Sequence, residues 1–142
     1  ELKNKYLKFD RKLDAASKIV VVGLNGFAFN ENSNVKTITE KANKTNYIEI
    51  SFTIPENKIA NPQELQYYVQ IIDPENNIMG EKKSIVQDGK VLNYSFLKTI
   101  QYNNETIDVK EQIFSNRFPK GNYSIFIYYK NVLIKSNSFI LN

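Results

Sequence analysis

The sequence predicts an all-β chain, an immunoglobulin-like β-sandwich of about seven to nine strands preceded by a short N-terminal amphipathic helix. Three observations predict it. From residue 18 onward, apolar and polar residues alternate through several segments, the pattern of strands with one buried face. Turn signals recur at intervals of about 8–12 residues and use Asn where Gly is usual, since Asn tolerates left-handed backbone. The chain then closes on a Pro119-Lys120-Gly121 turn, a strand through Tyr123 and Tyr129, a Lys130-Asn131 reversal and a last strand to Leu141. Two paired terminal strands of this kind commonly close such a sandwich.

Taken in order, residues 1–17 read as the helix. Leu2, Tyr6, Phe9, Leu13 and Ala16 recur at spacings of 4, 3, 4 and 3, a seam two heptads long. Two settings fit so short a seam: the end of a coiled coil that continues upstream, or a helix laid on the sandwich. At Lys18 the period changes, and Ile19-Val20-Val21-Val22 opens a β segment that runs to Phe29. Gly23 and Gly26 inside it signal a bulge or a close backbone approach. Residues 30–34 form a polar loop, 35–39 a short edge strand and 43–46 a turn.

Residues 47–54 alternate cleanly, with Ile48, Ile50, Phe52 and Ile54 on one face. A loop at 55–63 carries a proline near each end. Residues 65–72 alternate again, Leu65, Tyr67, Val69 and Ile71 inward and Gln66, Tyr68 and Gln70 outward. Asp73-Pro74-Glu75-Asn76-Asn77 is a turn by local chemistry. Residues 80–89 form a charged connection with a short strand at 84–86, and 91–102 one longer β segment with Leu92, Tyr94, Phe96, Ile100 and Tyr102 on one parity. Asn103-Asn104 turns it into 106–114, where Ile107, Val109 and Ile113 alternate with polar residues. No repeat appears, and no linker divides the body, so residues 18–142 read as one domain.

Function is narrowed by what is missing. The 142 residues include no His and no Cys, which removes the commonest general base and metal ligands and every Ser-His or Cys-His nucleophile. The carboxylates Glu105, Asp108 and Glu111 are scattered on outward positions, and no Gly-rich phosphate loop is present. Asp73 and Glu75 flank a proline in a turn without the ligand spacing of a calcium loop. No catalytic residue, metal or cofactor is therefore expected, and the chain reads as no enzyme. The net charge of +4 suggests nucleic acid, yet residues 1–22 hold six basic and three acidic side chains and the rest thirteen and twelve. A body so nearly neutral lacks a basic stripe, and nucleic acid is not expected as a partner.

One surface stands out. The strand at 122–130 turns Tyr123, Ile125, Ile127 and Tyr129 inward, leaving Phe126 and Tyr128 outward beside Tyr68 and Ile72 of a neighbouring strand. These four form the candidate interaction face, since aromatic residues dominate such contacts. The helix seam of Leu2, Tyr6, Phe9 and Leu13 either covers that face or joins other copies. Tyr123 sits where a tyrosine-corner residue would.

Several stretches resemble a known kind of module: Phe52-Thr53-Ile54-Pro55-Glu56-Asn57, Tyr68-Val69-Gln70-Ile71-Ile72-Asp73-Pro74, Ile100-Gln101-Tyr102 with Thr106-Ile107-Asp108-Val109, and Gly121-Asn122-Tyr123 through Phe139-Ile140-Leu141. They are similar to the C-terminal immunoglobulin-like module of Bacteroidetes (flavobacterium-type) coiled-coil envelope proteins of unassigned function. The resemblance implies an upstream coiled coil and membrane anchor, and it transfers no site residues. The chain, which starts at Glu1, is accordingly expected to be part of a longer protein.

The expected function is a non-enzymatic protein-interaction or structural module at the end of a coiled-coil envelope protein, periplasmic or at the surface. Its expected partner is another protein, or its own copies through the N-terminal helix, with membrane contact only through an upstream segment. The alternative is a carbohydrate-binding or adhesin-type module that stacks a glycan on its aromatic face.

Overall fold

The computed structural model describes residues 18–142, so the expected helix and its seam of Leu2, Tyr6, Phe9 and Leu13 lie outside the described residues. Ten strands follow one another: β1 Val22–Asn32, β2 Val35–Thr39, β3 Tyr47–Ile54, β4 Gln63–Ile72, β5 Lys83–Gln87, β6 Lys90–Tyr94, β7 Phe96–Tyr102, β8 Ile107–Phe114, β9 Gly121–Tyr129 and β10 Val132–Leu141. Among the described residues the helical element is a three-residue 3-10 turn, Ala42–Lys44. All pairings are antiparallel. A first sheet has the order β2-β1-β3-β8, a second the order β10-β9-β4-β7, and β5-β6 stand apart as a hairpin. Residues 18–142 form an all-β sandwich.

Alternation fixes which residues make the core. Ile48, Ile50, Phe52 and Ile54 of β3 face Leu65, Tyr67, Val69 and Ile71 of β4 and Tyr123, Ile125 and Ile127 of β9, all of them buried. The Phe52 and Tyr67 rings meet edge to face across the two sheets at 5.9 Å between centroids. Both glycines of β1 do what their positions suggest. Gly23 has φ +65° at a register shift, and Gly26 admits the Phe139 ring so closely that a Cβ there would lie 2.6 Å from it. Three two-residue turns close hairpins at Ser33-Asn34, Asp88-Gly89 and Lys130-Asn131, every residue of them at positive φ. Paired positive φ matches the strand twist, and Asn and Gly adopt it at least cost.

The strand count rises from the expected seven to nine to ten because the segment at 91–102 is two strands. Ser95 divides it. Its backbone N–H donates to Val69 O, its carbonyl accepts from Glu81 N, and its hydroxyl accepts from Ile71 N, all at 2.8 Å. That three-way anchoring ends the pairing with β5 and begins the pairing of β7 with β4. Leu92 and Tyr94 therefore sit on the hairpin, while Phe96, Ile100 and Tyr102 enter the core.

Candidate functional site

The outer face of the second sheet carries the four residues expected there. Tyr68 lies opposite Tyr128, Gln70 opposite Phe126 and Ile72 opposite Ser124, so Tyr68, Ile72, Phe126 and Tyr128 share one face. Leu97 flanks Tyr68 and Leu133 flanks Tyr128, which extends one row across all four strands. The face is not open. The β5–β6 hairpin folds over it, with Tyr94 packed edge-on against Tyr68 at 4.9 Å. Gln70 Nε2 donates to Asn93 O at 2.8 Å, and at the hairpin tip Asn131 Nδ2 donates to Gln87 O at 3.3 Å. Tyr68 is thus 5% exposed, and Ile72, Phe126 and Tyr128 are half-buried. Burial first, and Tyr94 second, push the Tyr68 phenol above its ordinary value.

A more open aromatic row lies on the outer face of the first sheet. Phe29 of β1, Tyr47 of β3 and Phe114 of β8 stand opposite one another, their ring centroids 5.6 and 5.2 Å apart. Ile38 of β2 extends the row at one end. Lys36 Nζ lies 4.4 Å from the Phe29 centroid and 2.8 Å from Glu49 Oε2, and the bond to Glu49 is the leading cause of its raised pKa. Tyr47, though outward by parity, is 1% exposed because rings flank it on both sides. Phe114 is 64% exposed, Ile38 58% and Phe27 45%. The outward parity of Tyr47 and Phe114 was readable in the sequence. Their meeting was not, because it depends on the register of β3 against β8, which alternation alone leaves free.

Phe114 also walls an open cleft of about 640 Å³ at one end of the sandwich, lined by the 73–82 connection and by Ser115, Asn116, Arg117 and Pro119. Asp73 Oδ1 accepts from Glu75 N at 2.8 Å and Asn77 N at 2.9 Å, the Asx geometry of a turn. Glu75 pairs with Arg117. Both acidic groups are thereby engaged, and among the described residues no three His, Cys, Asp or Glu side chains group closely enough to hold a metal ion. Asp108 accepts from the Thr53 hydroxyl at 2.7 Å and Glu111 faces Lys98 at 3.4 Å, so these carboxylates serve local pairs. Tyr123 makes its corner: the hydroxyl donates to Pro119 O at 2.6 Å, and burial pushes the phenol up to about 12. No helix among the described residues is long and apolar enough to cross a membrane.

No curated protein matches the chain. Among solved structures it is similar to a Pseudomonas fluorescens alkylpurine DNA glycosylase, AlkC, bound to DNA containing an abasic site analogue, at 12% identity and a TM-score of 0.48. That alignment covers 89% of this chain and 31% of the glycosylase. The partner expectations are corrected here. The exclusion of nucleic acid is not carried forward, and a likeness this slight says nothing of what this chain binds. Association through Leu2, Tyr6, Phe9 and Leu13 is not carried forward, because no described residue belongs to it. One family model matches residues 22–142, so the chain belongs to the family described as a domain of unknown function, DUF8428.

Proposed function

We propose that the chain is a non-enzymatic interaction module, an immunoglobulin-like sandwich at the end of a coiled-coil envelope protein of the Bacteroidetes type. The immunoglobulin-like reading rests on strand order. β3 pairs with β8 in one sheet while β9 lies between β4 and β10 in the other, the pairing that strands B with E and C, F and G have in that fold. The Tyr123 corner at the start of β9 supports it.

One observation carries the interaction reading: the aromatic row of Phe29, Tyr47 and Phe114, with Phe27 and Ile38 exposed around it. Large apolar side chains that stay in water on one sheet face do little for folding and mark a contact surface. The Phe29 and Tyr47 rings are stacked, 21° apart, so each covers a face of the other, and the Phe114 ring is tilted by 42° against Tyr47. A protein surface with apolar knobs fits such edges better than a sugar ring, which stacks on an open face. The glycan alternative built on Tyr68, Phe126 and Tyr128 is weaker, because Tyr94 occupies the Tyr68 ring.

A photo-cross-linking residue at position 114, in the full-length protein in its own cell, tests the reading. A discrete cross-linked protein is expected there and not at position 133 on the opposite sheet. Equal labelling at both positions, or none at 114, would overturn it.

A further inference from the structure

The two large sheets have four edges between them, and three are blocked. β7 and β8 each carry a charge on an inward position, Lys98 and Glu111, and the two meet at 3.4 Å. β10 has a register shift between Leu133 and Lys135, and its end is covered where Asn142 N donates to Glu40 O and Ala42 N to Asn142 O. Inward charges, bulges and covering segments keep an edge from pairing with another chain. β2 has none of these. Its pairing with β1 is unbroken from Val35 to Thr39, it holds no Pro or Gly, and four of its five residues are exposed. Its single charge, Lys36, is drawn back over Phe29 onto Glu49.

The β1–β2 turn decides which backbone groups of this edge are free. Two turn residues at positive φ make Asn32 and Val35 a hydrogen-bonded pair. Alternation then aims the N–H and C=O of Val35, Thr37 and Thr39 at β1, and those of Lys36 and Ile38 away from it. Ile38 thus offers one donor and one acceptor along the edge, and its side chain ends the row of Phe114, Tyr47 and Phe29. Glu40 follows on the same parity, held just past β2 by the bond from Asn142. Its carboxylate has no ionic partner among the described residues.

These features fit a second copy of the same strand. In an antiparallel pair whose two-fold axis passes through Ile38, the N–H and C=O of each Ile38 meet those of the other. Thr37 then lies opposite Thr39 of the second copy, and Lys36 opposite its Glu40. Donor meets acceptor, β-branched residue meets β-branched residue, and a cation meets the carboxylate that lacks one. The apolar row also runs on, from Phe114, Tyr47, Phe29 and Ile38 of one copy into Ile38, Phe29, Tyr47 and Phe114 of the other. A pair centred on Thr37 does neither, since it sets Ile38 against Lys36 and Glu40 against no cation.

We propose that the chain forms a two-fold dimer by edge pairing of β2, with Ile38 opposite Ile38 and Lys36 opposite Glu40 across the interface. The pairing stands on the edge itself and goes beyond the interaction reading, because it does not depend on what the aromatic row contacts. A five-residue edge covers less than the roughly 1,200–2,000 Å² of a stable interface, so the dimer is weak, half-formed at roughly 0.1 mM chain.

Sedimentation equilibrium of the 142-residue chain, from about 10 µM to about 1 mM, tests it. The parent is expected to approach the mass of a dimer at the upper end. Glu40→Lys sets Lys36 against a second cation, and Lys36→Glu sets Glu40 against a second carboxylate. Each variant alone is expected to dimerise about tenfold more weakly, because like charges directly opposite repel. Mixed one to one, the two variants restore both ion pairs, and dimerisation is expected to return to within about threefold of the parent. Disulfide trapping reads the register, since the chain has no cysteine of its own. Ile38→Cys brings the two thiols together on strands about 5.5 Å apart, within disulfide range, whereas Val35→Cys leaves them about 20 Å apart along the strands. Mild oxidation is expected to link the first at least about tenfold faster than the second. Three results would overturn the proposal: a parent chain still monomeric at 1 mM, a mixture no tighter than its two components, or equal linking at 38 and 35.

Discussion

The Ser95 hydroxyl accepts the backbone N–H of Ile71 at 2.8 Å in a position with no exposure to solvent. A serine side chain here takes the place that a neighbouring strand would fill, since β4 loses its β7 partner beyond Val69. One hydroxyl thus allows the chain to leave the second sheet and build the hairpin that roofs it. Ser95→Ala leaves the Ile71 N–H buried and unpaired. The expected cost is about 1–3 kcal/mol, read as a lower denaturation midpoint in urea at unchanged slope. A neutral effect would mean that the backbone bonds of Ser95 suffice alone.

The two glycines of β1 are expected to differ in kind. Gly26→Ala drives a methyl group to 2.6 Å from Phe139 and 2.8 Å from Ile125. Phe139 is stacked on Tyr123 at 5.1 Å and only 8° from parallel, so it has little room to yield. A cost of about 1–3 kcal/mol is expected from overpacking. At Gly23 nothing lies within 4 Å of an added Cβ, but φ is +65°. Gly23→Ala is therefore expected to cost about 1–2 kcal/mol through backbone strain alone. Gly23→Asn, which tolerates that φ, should recover part of it, whereas Gly26→Asn should be worse than Gly26→Ala.

Much of this architecture was legible because it depends on local periodicity. Ile48, Ile50, Phe52 and Ile54 announce their face two residues at a time, and the Asn-rich turns announce where each strand stops. The Lys130-Asn131 turn, at φ 48° and 65°, is what the terminal hairpin required. Legibility failed where tertiary contacts decide. Leu92, Tyr94 and Phe96 share a parity, yet Ser95 sends the first two to the hairpin and the third to the core. Tyr68 faces outward as expected but is buried by Tyr94, a residue from a segment that local pattern joined to another strand. The four residues of the candidate face thus share one side of the second sheet, as their parity indicates, and Tyr94 packs over Tyr68 there. The row of Phe29, Tyr47 and Phe114 was missed for want of a register.

That row supplies a contrast between burial and exposure within one stack. Tyr47 is 1% exposed and lies between two rings, so Tyr47→Ala removes a buried aromatic and is expected to cost about 3–5 kcal/mol. Phe114, 64% exposed at the edge strand, is expected to lose only its ring contact with Tyr47 in Phe114→Ser, a cost of about 0.5–1.5 kcal/mol. Thermal melts of the two variants check this. A large loss at Phe114 would make the row a folding element and remove the argument for a contact surface.

Alkaline pH offers a test of the tyrosines in the core. Tyr67 and Tyr123 are both pushed from 10.0 up to about 12, in each case chiefly by burial. Neighbouring Tyr129 adds to the shift at Tyr67, and the Asp73 charge adds to it at Tyr123. In both, the folded chain holds the phenolic proton more tightly than the unfolded chain does. Their contribution to stability is therefore complete below pH about 10 and is lost as pH rises from there through about 12. Two variants separate the parts. Tyr67→Phe removes one titrating group, so the loss of stability above pH 10 should become shallower. Tyr123→Phe also removes the bond to Pro119 O and should be less stable near pH 7 by about 0.5–1.5 kcal/mol. Its deficit should then shrink as pH rises, because the parent loses its advantage where the phenol ionises. Urea denaturation at a series of pH values measures both slopes. An alkaline slope unchanged in the double variant would assign the loss to other groups.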